Sequence, residues 1–323
     1  MKDEKKQQHI TSIGGQAVME GVMMRGPHNT ATAVRRPDGE IEVKVEETGT
    51  KKHGKFARLP IVRGCVNFID SLVIGMKSLM WSAEFVDIEA DEGEEESKLD
   101  KWLENKFGDK LKDVIITISV VIAVIFSVAI FMVLPWLLSL ALDLITDSNL
   151  IITAAEGVLR MAIFIGYLAI ISKMKDIQRV YEYHGAEHKT IACYEAGEEL
   201  TPENVKKYTR FHPRCGTSFL LIVMVISILI FFLIPPFTFV ENIVLRKLLA
   251  LAVRLCLLPI VAGISYEAIK LAGRSTNKCV KWLTKPGLWM QRLTTREPDE
   301  SQIEVAIASM KPCIPDDKED DKW

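Results

Sequence analysis

Val114-Ile115-Ile116-Thr117-Ile118-Ser119-Val120-Val121-Ile122-Ala123-Val124-Ile125-Phe126-Ser127-Val128-Ala129-Ile130-Phe131-Met132-Val133-Leu134-Pro135-Trp136-Leu137-Leu138-Ser139-Leu140-Ala141-Leu142 carries no charge. A hydrocarbon core of roughly 30 Å is crossed by about 20 helical residues, so this run predicts a transmembrane helix. A second uncharged run spans Thr217 to Val240 and contains Ile228-Leu229-Ile230-Phe231-Phe232-Leu233. Two interrupted runs complete the set: 150–172, with Glu156 and Arg160, and 248–272, with Arg254, Glu267 and Lys270. For the interrupted pair a buried core helix is the alternative, but two obligate spans already hold the chain at the membrane. The expected fold is mainly α: a multi-pass helical membrane domain of four transmembrane helices over 113–272.

Orientation follows the lysines and arginines near the span ends. The loop Asp143 to Asn149 has Asp143 and Asp147 and no base, whereas 173–216 carries Lys173, Lys175, Arg179, Lys189, Lys206, Lys207, Arg210 and Arg214. The tail after Gly273 adds Arg274, Lys278, Lys281, Lys285, Arg292 and Arg296. Both termini and the segment 173–216 are therefore expected on the cytoplasmic side of a cell membrane, with Arg246 and Lys247 a minor dissent. The N-terminus Met1 to Gln8 is polar with no apolar core behind it, so the first span is expected to act as its own insertion signal. The six cysteines show no C-x-x-C pair and read as reduced thiols. A formal charge of −2 without a basic strip implies no nucleic-acid partner.

Residues 1–9 read as a solvated tail. Within 10–60, a glycine-rich segment precedes two alternating stretches, Thr30 to Arg36 and Glu40 to Glu46, flanking Pro37-Asp38-Gly39; that pattern predicts a β-hairpin. Two strands alone are marginal, so the hairpin should pack on the helical body or pair with further chain. Over 61–86 the charges Arg63, Asp70, Lys77 and Glu84 recur every seven residues on a largely apolar helix. An interfacial helix is the first reading, and a helix buried against the body or a shallow membrane segment are the others. Residues 87–112 combine a block of seven acids in ten residues (87–96) with an amphipathic lead-in carrying Trp102; the block reads as a solvated linker and lacks the order of a Ca²⁺ loop. The cytoplasmic tail 273–323 ends in a polar stretch, 298–323, expected to be disordered.

The chemistry concentrates in Tyr183-His184-Gly185-Ala186-Glu187-His188-Lys189. On a helix, residues four apart share a face, so both imidazoles reach one point. The order H-x-x-E-H is also that of inverted zincins, with two His on Zn²⁺ and the Glu as general base. Zinc held by His184 and His188, with Glu187 as base, is the sharpest reading, against two packing histidines beside an unremarkable acid. Two His leave zinc short of three or four protein ligands. Glu267, near the cytoplasmic end of the fourth span, is the favoured third ligand, because that order matches inverted zincins; His212 and Cys215 of His212-Pro213-Arg214-Cys215-Gly216-Thr217-Ser218 are the alternatives. Glu20, Arg25 and Arg214 are further candidates, although Glu20 and Arg25 could equally pair with each other. The glycine segment Ile13 to Pro27 lacks a Gly-Lys-Ser/Thr, so it is not a P-loop. Glu156 and Arg160, four apart with the acid first, read as a buried structural pair facing Arg254.

Three signatures in order, Ile13-Gly14-Gly15-Gln16-Ala17-Val18-Met19-Glu20-Gly21-Val22-Met23-Met24-Arg25, Tyr183 to Lys189 and His212 to Phe219, resemble a bacterial membrane family, the YqhQ-like proteins with domain of unknown function 1385. The likeness covers roughly residues 10 to 295. It implies a multi-pass membrane protein of a family labelled as predicted metal-dependent enzymes, with no substrate or reaction attached. The leading expectation is a cytoplasm-facing, zinc-dependent hydrolase acting on a membrane peptide, a lipid headgroup or a small metabolite. The alternative is a non-enzymatic scaffold or assembly factor with a closed His/Cys structural site. A transporter ranks third, since four spans with few charges offer little of a pathway.

Overall fold

A computed structural model describes residues 9–48, 59–86, 111–146, 148–235, 237–274 and 277–322. The acidic linker and Trp102 lie outside the described residues. The chain divides into two compact units, one drawn from 1–86, 168–230 and 255–323, the other from 87–167 and 231–254.

In the first unit, β1 (Gly14–Val18), β2 (Gly21–Arg25), β3 (Asn29–Arg35) and β4 (Ile41–Glu47) form an antiparallel meander in that order. The expected hairpin is β3–β4, turning at Gly39 with φ +90°. The glycine segment, expected only as a compact stretch, supplies two more strands, and β2 pairs with β3. Alternation along β2 sends Val22 and Met24 to one face and Met23 to the other. Both faces are covered, which is why β2 is buried through four consecutive residues.

Helix α1 (Val62–Ala83) covers the second face. It meets Val18, Met23 and Val34 through Ile74, Leu79 and Trp81. Its buried small residues Gly75, Ser78 and Ser82 receive the sheet: Gln16 Nε2 donates to Gly75 O at 3.0 Å and Thr32 Oγ1 to Ser78 Oγ at 3.1 Å. Ile69, Leu72, Val73 and Met76, at helical spacing, stay exposed.

Helices of the second unit begin with α2 (Leu111–Val128), a π turn (Ala129–Val133) and α3 (Leu134–Ser139). Pro135 has no N–H to offer the carbonyl four residues back, which is Phe131 O. Arg160 Nε takes that acceptor at 2.9 Å. The remaining elements are α4 (Asn149–Ile171), α5 (Lys175–Glu195), the short α6 (Pro202–Val205), α7 (Gly216–Phe232), α8 (Ile243–Arg274), α9 (Lys278–Thr294) and α10 (Glu300–Met310). Among the described residues, three helical runs are long and apolar enough to cross a membrane: Thr117–Ser139, Leu150–Ile171 and Leu248–Ala272. The apolar run from Thr217 to Val240 gives only the 17 residues of α7, about 26 Å at 1.5 Å per residue. The helix stops at Phe232 because Pro235 follows and Pro cannot continue it.

The expected disorder of 298–323 is corrected. Asp299 and Gln302 form a reciprocal capping box that starts α10. Ile303, Ala306 and Met310 then join Val22, Met24, Ala31, Tyr183, Ala186 and Ile191 in one core. Asp321, fully buried, accepts from Thr11 Oγ1 at 2.6 Å and Tyr194 O–H at 3.0 Å, and its other oxygen meets His9 Nε2 at 2.7 Å. Asp321→Ala strands those groups, with an expected loss of about 2 kcal/mol, read as a lower midpoint in denaturant; an unchanged midpoint would show the cluster to be energetically idle.

Candidate functional site

Helix α5 becomes buried from Tyr183 onward, and its helical spacing turns His184, Glu187 and His188 to one side. The rings of His184 and His188 lie 4.4 Å apart between centroids. Each is fixed by its far nitrogen: His184 Nδ1–H donates to Thr294 O at 2.9 Å and His188 Nδ1–H to Arg210 O at 2.6 Å. With Nδ1 so committed, Nε2 of each ring remains for the third member, Cys215, one residue before α7. Cys215 Sγ stands 3.3 Å from His184 Nε2, and ligating atoms of His184, His188 and Cys215 all lie within 4.8 Å of one another.

Glu187 is buried beside them, its Oε2 3.9 Å from His184 Nε2. Neither Glu187 Oε2 nor His188 Nε2 has a hydrogen-bond partner, although both atoms are buried. Burial raises the Glu187 carboxyl above its ordinary value against the opposing pull of the His pair. Burial would also raise the Cys215 thiol, but the charges of His184 and His188 outweigh it and hold the thiol well below its usual range. His184 moves in the opposite sense: burial works to lower it, and the Cys215 sulfur overrides this, raising it to about 9. The Thr217 N–H donates to the same sulfur at 3.4 Å, a further aid to thiolate.

Glu267, the favoured third ligand, is not in this cluster; Cys215, one of the alternatives, is. The Glu267 carboxylate is clamped by Arg63 of α1, with Nε to Oε1 at 2.6 Å. Glu267→Gln is therefore expected to leave metal content unchanged, since the pair is part-exposed and such bridges contribute about 1 kcal/mol or less; loss of metal on that substitution would restore Glu267 to the site.

His212 is adjacent, its ring 5.6 Å from that of His188, but its Nε2 faces Glu195 at 3.6 Å and Arg214 at 3.3 Å. Arg214 is bound to Glu195, whose Oε1 also accepts the Thr11 N–H at 2.9 Å. Glu20 and Arg25 do not pair with each other. Glu20, at φ 49° in the β1–β2 turn, is held by Arg179 and Tyr183 on α5, while Arg25 reaches Ser71. Glu20 thus anchors the site helix rather than lining the cluster.

Several residues that position the cluster carried no motif. Gln291 grips His212 from both sides, accepting its N–H at 2.8 Å and donating to its carbonyl at 2.7 Å. Gly15 lets β1 approach Glu187, for a Cβ there would stand 3.1 Å from Glu187 Cγ and closer still to Met23 O. The close-approach role of the glycine segment was readable; its target was not.

The family model described as "Protein of unknown function (DUF1385)" matches residues 59–316. "Uncharacterized protein YqhQ" of Bacillus subtilis (strain 168) is 35% identical over 309 residues, covering 94% of this chain and 92% of the relative. No solved structure matches the chain.

Proposed function

The chain belongs to the DUF1385 family, and from that premise we propose a membrane protein in which His184, His188 and Cys215 hold a zinc ion and Glu187 serves hydrolysis. One observation carries this reading. Both imidazoles spend Nδ1 on main-chain carbonyls, and His188 Nε2 and Glu187 Oε2 are left buried and unpartnered beside the Cys215 sulfur, within 4.8 Å of the His ligand atoms. Buried polar atoms are nearly always satisfied, and a carbonyl behind each ligating His is the usual outer support of a metal. The donor set, two imidazoles and one thiolate, suits zinc.

A zinc ion held by His184, His188 and Cys215 would supply Lewis acidity to water or substrate. The chain's own contributions are distinct. Thr294 and Arg210 orient the rings. Glu187, with its raised proton affinity, takes a proton at Oε2 and returns it to a leaving group. Burial excludes bulk water from all three.

Membrane placement is supported by the surface of α2, where Val121, Ile122, Val124, Ile125 and Phe126 are each more than half exposed. Parity supports four crossings. Residues of β2, β3, α5 and α10 share one core, so those stretches lie on one side only if crossings between them come in pairs. Two long runs separate β4 from α5; between α5 and α10, α7 would have to cross with α8, short as it is. The lysine-rich flanks favour the cytoplasm for that core, and reporter fusions at Asn149 and Glu198 should read outside and inside.

The scaffold reading draws on one fact, the nearness of His212 as a fourth group. Cobalt-substituted protein separates the two. An open position admits added azide and its visible spectrum shifts; a spectrum indifferent to azide rejects the hydrolytic site.

A further inference from the structure

A second buried polar cluster lies within the second unit, on its apolar helices. Glu156 and Arg160 of α4 and Arg254 of α8 are each less than a tenth exposed. Arg160 Nη2 donates to Glu156 Oε1 at 2.9 Å, and Arg254 Nη1 donates to both carboxylate oxygens, at 2.5 and 2.7 Å. The phenyl ring of Phe231 sits against both guanidiniums, 5.2 Å from Arg160 Cζ and 5.4 Å from Arg254 Cζ.

The charges do not balance. Two guanidiniums face one carboxylate, so one positive charge is left over. Among the described residues Glu156 is the only carboxylate paired with either. Arginine does not shed its proton at any accessible pH, so the surplus cannot vanish by titration. A buried charge in an apolar helix assembly demands a counter-charge. The geometry also leaves a donor for one, because Arg254 Nε is buried and has no partner. Both helices place the cluster alike: Glu156 and Arg254 are each six residues beyond the first residue of their apolar runs, Leu150 and Leu248, about 9 Å along the helix axis. A guanidinium can span much of that depth by extending toward the surface.

We propose that Arg160 and Arg254, with Glu156 between them and Phe231 across their faces, bind one oxyanion: the phosphodiester of an anionic lipid headgroup or a free phosphate. The planar fork of donors matches such oxygens, and a single net negative charge closes the count. Glu156 sets the appetite of the site, since it neutralises one arginine and leaves the other to the ligand. The proposal shares with the preceding section only the placement of these helices in lipid, and zinc content does not enter its test.

The experiment measures thermal unfolding of the full chain in nanodiscs of phosphatidylcholine, of phosphatidylcholine with half phosphatidylglycerol, and of phosphatidylcholine with added inorganic phosphate. Wild type is expected to melt about 2 °C higher with its anion, the shift a tenfold excess over Kd gives a chain of this size. A rise with phosphatidylglycerol alone assigns a lipid headgroup; a rise with inorganic phosphate as well assigns a free oxyanion. Arg254→Gln balances the charges and should abolish the rise, with Arg160→Gln as the equivalent if the first does not fold. Glu156→Gln leaves two unpaired guanidiniums and should enlarge it. A wild-type midpoint indifferent to both anions, or an Arg254→Gln variant that keeps the full rise, overturns the site.

Discussion

Replacing Cys215 with serine should lower zinc affinity by more than about a hundredfold, beyond the 10–100-fold typical of losing an outer-shell partner. The reason lies in the donor set. Sγ is 3.3 Å from His184 Nε2, and the neighbouring imidazoles already hold the thiol in its ionised range, so the thiolate is the one negatively charged donor among the three groups. A serine hydroxyl keeps the size and loses the charge. His188→Ala should do as much, since its Nε2 is buried without a partner. Chelator competition and elemental analysis of protein in detergent give the affinity, and cobalt-loaded protein should lose its thiolate charge-transfer band only in the Cys215 variant. Glu187→Gln is the counterpart: metal retained, any hydrolytic turnover gone. Wild-type zinc content in Cys215→Ser would remove the His₂Cys site altogether.

Gly185→Ala should cost about 3 kcal/mol and about tenfold in zinc affinity, although Gly185 touches no ligand. A Cβ at this position would overlap the main-chain carbonyl of Arg296 and stand 3.3 Å from Pro298 Cδ. Backbone cannot yield as a flexible side chain can, and Arg296 N–H is tied to Tyr181 O at 2.8 Å, so the segment must shift as a whole. Two residues earlier in that segment is Thr294, whose carbonyl fixes the tautomer and angle of His184. Stability and affinity should therefore fall together. Denaturant midpoints with chelator competition read both, and a variant that matches wild type in each would show that the approach of 294–296 to α5 is not tight.

The sequence made the His pair legible because a 3.6-residue period places i and i+4 on one face whatever surrounds them. The third group was less accessible. Membrane sidedness put Glu267 and Cys215 at comparable levels, but nothing in the order of residues showed that Arg63 of α1 faces Glu267. Strands β1 and β2 were missed because Gly14, Gly15 and Gly21 argue against strand by propensity, and packing on both faces overrides that preference. The polar composition of 298–323 concealed α10, yet Asp299-x-x-Gln302 ahead of Ile303, Ala306 and Met310 was a readable helix start. The helix in the run from Thr217 is shorter than the run itself because hydropathy does not register a proline, and Pro235 ends the helix early.

Asp321 and Thr11 are bonded across a sequence separation of 310, and Tyr194 of the site helix shares the same carboxylate. Read as an order of synthesis, the apolar helices α2 to α4, α7 and α8 leave the ribosome before α10 exists. Strands β1 to β4 and helix α5 therefore wait, half assembled, while the hydrophobic segments settle. Pairings between residues this distant close late in folding. The carbonyl that orients His184 belongs to Thr294, made after the described apolar helices, so the proposed zinc site would be completed only once those helices have been synthesised.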